Sequence, residues 1–364
     1  MRRLLCVSFP LLCGCATLPL PADPARLPRV ELALPSAGTL RIYHTADISA
    51  DLARRLLGHV AAVSTRVQDR LGASPPRTEI VLYRPAGPTA SVSEGQVRET
   101  RADLVQEASG WRIRFSYPWS DDPRDPGQLL GTTAHEIAEA TILLNVTVID
   151  PYLRWVHDGV AEFAEHEALR ELMPEVAREN LRRTINFVRE RREDGVTFVD
   201  LSRWRQLASY LVRSHRFLGP NESNLSLVQL GRSVRRVRNA RVSIQDPLLL
   251  AGLAEIEDIL VHARRQSRRP WSPGEARPDD PVHQDYLFYN AAFALWLELE
   301  RASPGVAQRT LEAFAARRAK DDHVLSAAEA QRIVAEAAGR ERLDLRVPID
   351  RVESVLEAEL ARLP

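Results

Sequence analysis

From about residue 127 onward the hydrophobic pattern becomes almost wholly helical, and that change limits what the chain can fold into. Upstream, short runs of alternating apolar and polar residues, as on strands with one face against a core, are broken by one helical stretch. Downstream, apolar residues recur every three to four positions, as on helices that bury one stripe. Val30-Glu31-Leu32-Ala33-Leu34 and Leu40-Arg41-Ile42-Tyr43-His44 read as two strands around a Pro-Ser-Ala-Gly turn. A helix is expected over residues 47–71, with Leu52, Leu56, Leu57, Val60 and Val63 on one stripe and Pro75-Pro76 beyond its end. Residues 78–83 read as a buried strand and residues 110–117 as a half-exposed one, followed by a polar Asp/Pro loop over 120–126. Helices are then expected at 128–144, 153–172, 174–192, 201–214, 285–301, 305–318, 326–338 and 349–363. Loop-rich stretches fall at 219–233 and 264–281. The expected fold class is therefore α+β, with a small mixed sheet and helices over 29–127 and a mostly α-helical domain over 128–364.

The N-terminus carries a separate signal. All three cysteines lie in the first fifteen residues, behind a basic Met1-Arg2-Arg3 start and a short apolar run from Leu4 to Leu12. That run is too short to span a bilayer as a helix. Leu12-Cys13-Gly14-Cys15 resembles the lipobox of bacterial lipoproteins. The resemblance implies a signal peptide over 1–14, cleavage before Cys15, and a diacylglyceryl thioether on the Cys15 sulfur. An ordinary secretory signal or a fortuitous N-terminus is the other reading. Residues 15–28, with Pro19, Pro21, Pro24 and Pro28, read as the lipidated cysteine and a tether to the membrane. Loss of Cys6 and Cys13 on cleavage would leave no disulfide, so stability must come from packing. Ala16 stands where inner-membrane retention usually puts Asp, which implies the outer membrane of a Gram-negative envelope. Lys+Arg and Asp+Glu balance at 49 each, so no global field argues for nucleic acid as a partner. The basic runs at 232–241 and 264–269 read as solvated faces, with contact to phosphate on lipid headgroups or a polymer as the alternative.

Chemistry gathers at His135-Glu136-Ile137-Ala138-Glu139. On a helix, His135 and Glu139 are four apart on one face, close enough to share an ion. Glu136 sits one step round, where a carboxylate can take a proton from water on that ion. Taken alone, the motif also fits the polar face of an amphipathic helix. A second segment, Trp155-Val156-His157-Asp158-Gly159-Val160-Ala161-Glu162-Phe163-Ala164-Glu165, changes that balance. It resembles the Trp-x-x-Glu-Gly-x-Ala-x-Tyr-x-Glu pattern of gluzincin metallopeptidases, the group that includes aminopeptidase N. Those proteins carry His-Glu-x-x-His, and their third ligand follows the second His by nineteen positions. Asp158 follows Glu139 by nineteen.

The resemblance implies a thermolysin/gluzincin-like fold and a bound zinc ion held by His135, Glu139 and Asp158. It implies Glu136 as general base and Glu165 as a carboxylate behind the ligands. A third match, from Tyr289-Asn290-Ala291, resembles the helix start where the family carries Tyr-x-Lys-Gly. It implies that the Tyr289 phenol donates to the oxyanion of the tetrahedral intermediate, with Tyr286 one turn earlier as the alternative. An aromatic anchor in the core fits either tyrosine equally well. Residues 111–117 would then be the edge strand that takes up a peptide. The resemblance spans about residues 40–318.

Two ligand positions depart from the family, Glu139 for His and Asp158 for Glu. Zinc accepts carboxylate oxygen, so one imidazole with two carboxylates is chemically sound. Such a set leans toward harder ions such as Mn²⁺, and its extra negative charge makes bound water less acidic. His157 is the alternative source of a second imidazole, although it points about 100° round the helix from Asp158. The expected function is a membrane-anchored metallopeptidase of the cell envelope, acting on a peptide or protein. The alternative is a catalytically degenerate, peptidase-like lipoprotein kept as a binding or scaffold protein, with or without an ion. Glu136 favours the first, and the lost imidazole favours the second.

Overall fold

A computed structural model describes residues 24–34, 38–84, 101–107, 110–144, 148–149, 151–204, 210–211, 224–225, 247–278, 284–321 and 324–364. Cys15, the lipobox and the basic run at 232–241 lie outside these. Among the described residues are nine α-helices and a five-stranded mixed sheet, so the protein is α+β and mostly helical. None of these helices is long and apolar enough to cross a membrane. Met1–Thr141 with Ala164–Ala177 make one compact unit, and Ile142–Phe163 with Arg178–Pro364 make a second.

The first unit holds the sheet. Its strands are β1 (Arg29–Leu34), β2 (Gly38–His44), β3 (Arg77–Tyr83), β4 (Arg101–Glu107) and β5 (Gly110–Pro118), in the order β1-β2-β3-β5-β4. Strands β2, β3 and β5 are parallel, while β1 and β4 pair antiparallel with their neighbours. Helix α1 (Ala50–Leu71) makes the crossover from β2 to β3 and packs on β1 and β2. Ser49 starts it by accepting a hydrogen bond from the Leu52 amide at 3.2 Å, and Gly72 ends it in the left-handed region at φ 63°. Its buried stripe runs Ala53, Leu56, Leu57, Val60, Val63, Val67, Leu71. Leu40 and Ile42 of β2, Ile80 and Leu82 of β3, and Ile113 and Phe115 of β5 share one buried face of the sheet.

The other face carries charge. Arg41, Glu79 and Arg114 stand side by side in register across β2, β3 and β5. The Glu79 carboxylate is only 2% exposed and meets Arg41 at 3.2 Å, Arg112 at 3.1 Å and Arg114 at 2.5 Å. This arrangement corrects the expectation of a half-exposed edge strand at residues 111–117. β5 lies between β3 and β4, and its two arginines fold over Glu79 instead of facing water. The edge position belongs to β4, whose sequence Arg-Ala-Asp-Leu-Val-Gln-Glu has too little alternation to announce a strand.

The next helices are α2 (Asp125–Leu143), α3 (Arg154–Leu172) and α4 (Pro174–Glu193), each contributing to both units. In the second unit β7 (Phe198–Asp200) pairs antiparallel with β11 (Arg346–Pro348), β6 (Val148–Ile149) pairs with β10 (Val324–Leu325), and β8 (Tyr210–Leu211) pairs with β9 (Asn224–Leu225). The helices of this unit are α5 (Pro247–Arg268), α6 (Gln284–Ala302), α7 (Val306–Asp321), α8 (Ala327–Ala337) and α9 (Ile349–Leu360). No α-helix is present among the described residues of the span 201–214, where one was expected. A 3-10 turn, Leu201–Arg203, follows β7, and Trp204 is already extended. Asp200 holds that turn through the Ser202 amide at 3.1 Å, and the buried Arg203 guanidinium is tied to Glu275, Pro270 and Arg269. The loop expected to start at 264 starts at 269 instead, because α5 continues to Arg268 with Ile259 and Ala263 buried four apart.

Helix α6 is the centre of the second unit and is buried nearly all round, through Leu287, Phe288, Ala291, Ala292, Leu295, Trp296 and Leu299. Gly159 of α3 lets that helix approach closely. A Cβ there would meet Trp296 Cδ1 at 2.7 Å and the Ala292 Cβ at 3.0 Å. Trp296 cannot retreat, since it is fully buried and its Nε1 donates to the Trp155 carbonyl at 2.9 Å. Gly159→Ala is therefore expected to cost about 1–3 kcal/mol of stability by overpacking. Urea unfolding measures it, and a change within about 0.5 kcal/mol would show that Trp296 moves freely.

Candidate metal centre

His135, Glu136 and Glu139 follow one another on α2 and are all buried, at 4%, 2% and 6% exposure. Their helix starts where Asp125 accepts hydrogen bonds from the Ser120 amide at 2.7 Å and its hydroxyl at 3.1 Å, fixing the turn out of β5. Glu165, from the later part of α3, brings Oε2 to 3.7 Å from His135 Nδ1. Gly131, one turn before His135, makes room for it, because a Cβ there would lie 2.5 Å from Glu165 Oε1. A carboxylate facing Nδ1 suits a ligand histidine, since it orients the ring and leaves Nε2 as the metal-facing nitrogen.

Asp158 is 3% exposed on the first turns of α3. Arg154, one turn earlier, donates from Nε to Asp158 Oδ2 at 2.8 Å. Its Nη1 reaches Asp285 of α6 at 3.3 and 3.4 Å, and its Nη2 donates to the Tyr289 hydroxyl. The guanidinium lies over the Trp204 ring at 4.5 Å and the Tyr289 ring at 5.0 Å. Trp204 Nε1 donates to Asp285 Oδ1 at 2.7 Å, which closes the network. Burial works against the charge on Arg154, but Tyr289, Asp158 and Asp285 outweigh it and hold its pKa well above the usual range. Burial raises the Asp285 pKa, with Arg154 and Trp204 pulling it back and Asp158 adding to the rise.

The expected tyrosines differ in surroundings. Tyr289 is buried on α6, with Trp204 edge-on at 4.6 Å. Arginine only donates, so the Tyr289 hydroxyl accepts in its bond with Arg154 and keeps its own proton for another acceptor. Tyr286, one turn earlier, is half-buried; burial, with Asp285 and Glu162 beside it, pushes its phenol up to about 12. His157 Nδ1 stands 3.7 Å from Asp158 Oδ2, and His157 belongs to none of the convergent ligand groups among the described residues.

Buried His, Glu and Asp side chains here can in principle hold a metal ion. His135, Glu139 and Asp158 each offer one ligand atom, and these atoms all lie within 4.8 Å of one another. His135 also forms such a group with Glu162 and Glu165. Four ligands around zinc at its usual bond lengths stand about 3.4 Å apart, a separation inside that 4.8 Å limit. The donor set fits as well, because buried carboxylates need a compensating positive charge and a divalent ion supplies it.

Sequence reasoning missed Arg154, Asp285 and Glu162. Arg154 and Asp158 form an i,i+4 pair of opposite charge, a signal that was open to reading. Glu162 lies four after Asp158 and three before Glu165, on the same stripe of α3. No protein-family model matches the chain, and no characterised protein matches it in sequence.

Proposed function

We propose that the protein is a metal-dependent peptidase of gluzincin-like design, anchored in the cell envelope through Cys15. The observation that carries this reading is the convergence of His135, Glu139 and Asp158, buried, with Glu136 beside His135. On this reading the three residues hold a divalent ion, zinc or a harder ion such as Mn²⁺, and the thermolysin-like frame comes with them. The ion would supply Lewis-acid polarisation of the scissile carbonyl and of the attacking water. The chain's own residues do the rest. Glu136 takes a proton as water adds to the carbonyl carbon, and later gives it to the departing amine. Tyr289 donates its hydroxyl proton toward the oxygen that gains negative charge, while Arg154 holds that hydroxyl in place. Glu165 orients the His135 ring.

One observation favours a second reading, a binding or scaffold lipoprotein on the same frame. Arg154 bonds to both Asp158 and Tyr289 and supplies positive charge without any ion. Metal content separates the two. The purified chain, dialysed against zinc and then against buffer, is expected to retain one equivalent, and His135→Ala to retain none. Equal metal in both proteins, or none in either, would sink the peptidase reading.

A further inference from the structure

Arg154 does more than balance charge. Its three nitrogens face three different side chains, Asp158, Asp285 and Tyr289, and the neighbouring Trp204 and Tyr289 rings lie against the guanidinium. A fork held at each nitrogen fixes what it touches in angle as well as distance, which a lysine ammonium cannot do. The atom it fixes on Asp158 is Oδ2, and His157 Nδ1 approaches that same oxygen at 3.7 Å. With one lone pair of Oδ2 taken by the Arg154 Nε–H, a cation that engages both oxygens of Asp158 must compete with that bond.

We propose that Arg154 determines which ion the centre prefers, by holding Asp158 to coordination through one oxygen and so favouring zinc over larger divalent ions. This rests on the metal-dependent reading above. A carboxylate that offers both oxygens raises the coordination number, which suits ions that take six or more oxygen ligands. A carboxylate that offers one suits zinc, with four ligands. The donor set of one imidazole and two carboxylates leans by itself toward the harder ions, and Arg154 pulls against that lean.

The test is a ratio, because electrostatic and stability effects of the substitution act alike on two ions of equal charge. Zn²⁺ and Mn²⁺ affinities are measured on the full chain by competition with a chromophoric chelator, for wild type, Arg154→Gln and Arg154→Lys. The Mn²⁺-to-Zn²⁺ ratio of dissociation constants is expected to fall by about tenfold or more in Arg154→Gln. Arg154→Lys keeps a charge beside Asp285 but lacks the fork, and is expected to fall in the same direction; it gives the reading should the glutamine variant not fold. A ratio within twofold of wild type in the folded variants overturns the proposal and leaves the metal-dependent reading standing. Wild type that binds neither ion overturns both.

Discussion

On the proposed peptidase reading, Glu136→Gln is expected to lower peptide hydrolysis by about 10²- to 10⁴-fold, the range a positioned general base supplies. The substitution preserves the shape of a side chain that is only 2% exposed, so α2 should keep its packing. It removes the ability to take a proton and nothing else of size. Glu136 stands one step round the helix from His135 and outside the set His135, Glu139 and Asp158, so metal content should match wild type. Cleavage of a mixed peptide library by the two purified proteins, beside their metal content, makes the measurement. Equal cleavage would remove Glu136 from the mechanism. Lost metal would instead make it a ligand.

The largest expected effect on stability lies elsewhere, on the charged face of the sheet. Glu79→Gln should cost about 3–5 kcal/mol, as breaking a buried ion pair on one side does. The glutamine can still accept hydrogen bonds but brings no negative charge to the guanidinium groups of Arg41, Arg112 and Arg114. Arg41 and Arg114 can partly turn to water, since their side chains are 25% and 30% exposed. Arg112, at 9%, cannot. The cost is therefore set mainly by Arg112, and the double variant Glu79→Gln/Arg112→Met should recover part of it. Urea unfolding of the two variants checks this. A loss under about 1 kcal/mol for Glu79→Gln would mean that the row contributes as exposed pairs do.

Much of the fold can be read from pattern alone, and the failures share a cause. Strands β2 and β3 and helices α1 to α4 announce themselves in the local pattern, most plainly α1, which buries one stripe through Leu56, Leu57, Val60 and Val63. Residues 111–117 misread because arginines at alternating positions look like a wet face, whereas Arg112 and Arg114 converge on a carboxylate from another strand. The start of the helix expected at 201–214 misreads because local pattern says nothing about Arg203, whose partners Arg269, Pro270 and Glu275 lie some seventy positions away. Non-local ties of this kind leave no mark on local periodicity. The candidate centre divides in the same way. The common face of His135 and Glu139 follows from helical spacing, and the network on Arg154 does not, because Asp285, Tyr289 and Trp204 come from segments with no sequence link to α3.

The aromatic lining of that network has an optical consequence. Trp155, Trp204 and Trp296 are the largest fully buried side chains among the described residues, and all three belong to the second unit. Trp155 and Trp296 stack at 6.4 Å across the contact that Gly159 allows, and Trp204 lies under the Arg154 guanidinium while its indole N–H holds Asp285. Indole emission responds to nearby charge and to water, so the protein carries its own unlabelled reporter at the place where α3 and α6 share a guanidinium. A shift in the Trp204 part of that emission on adding an ion would register a change beside Arg154 before any substrate is known.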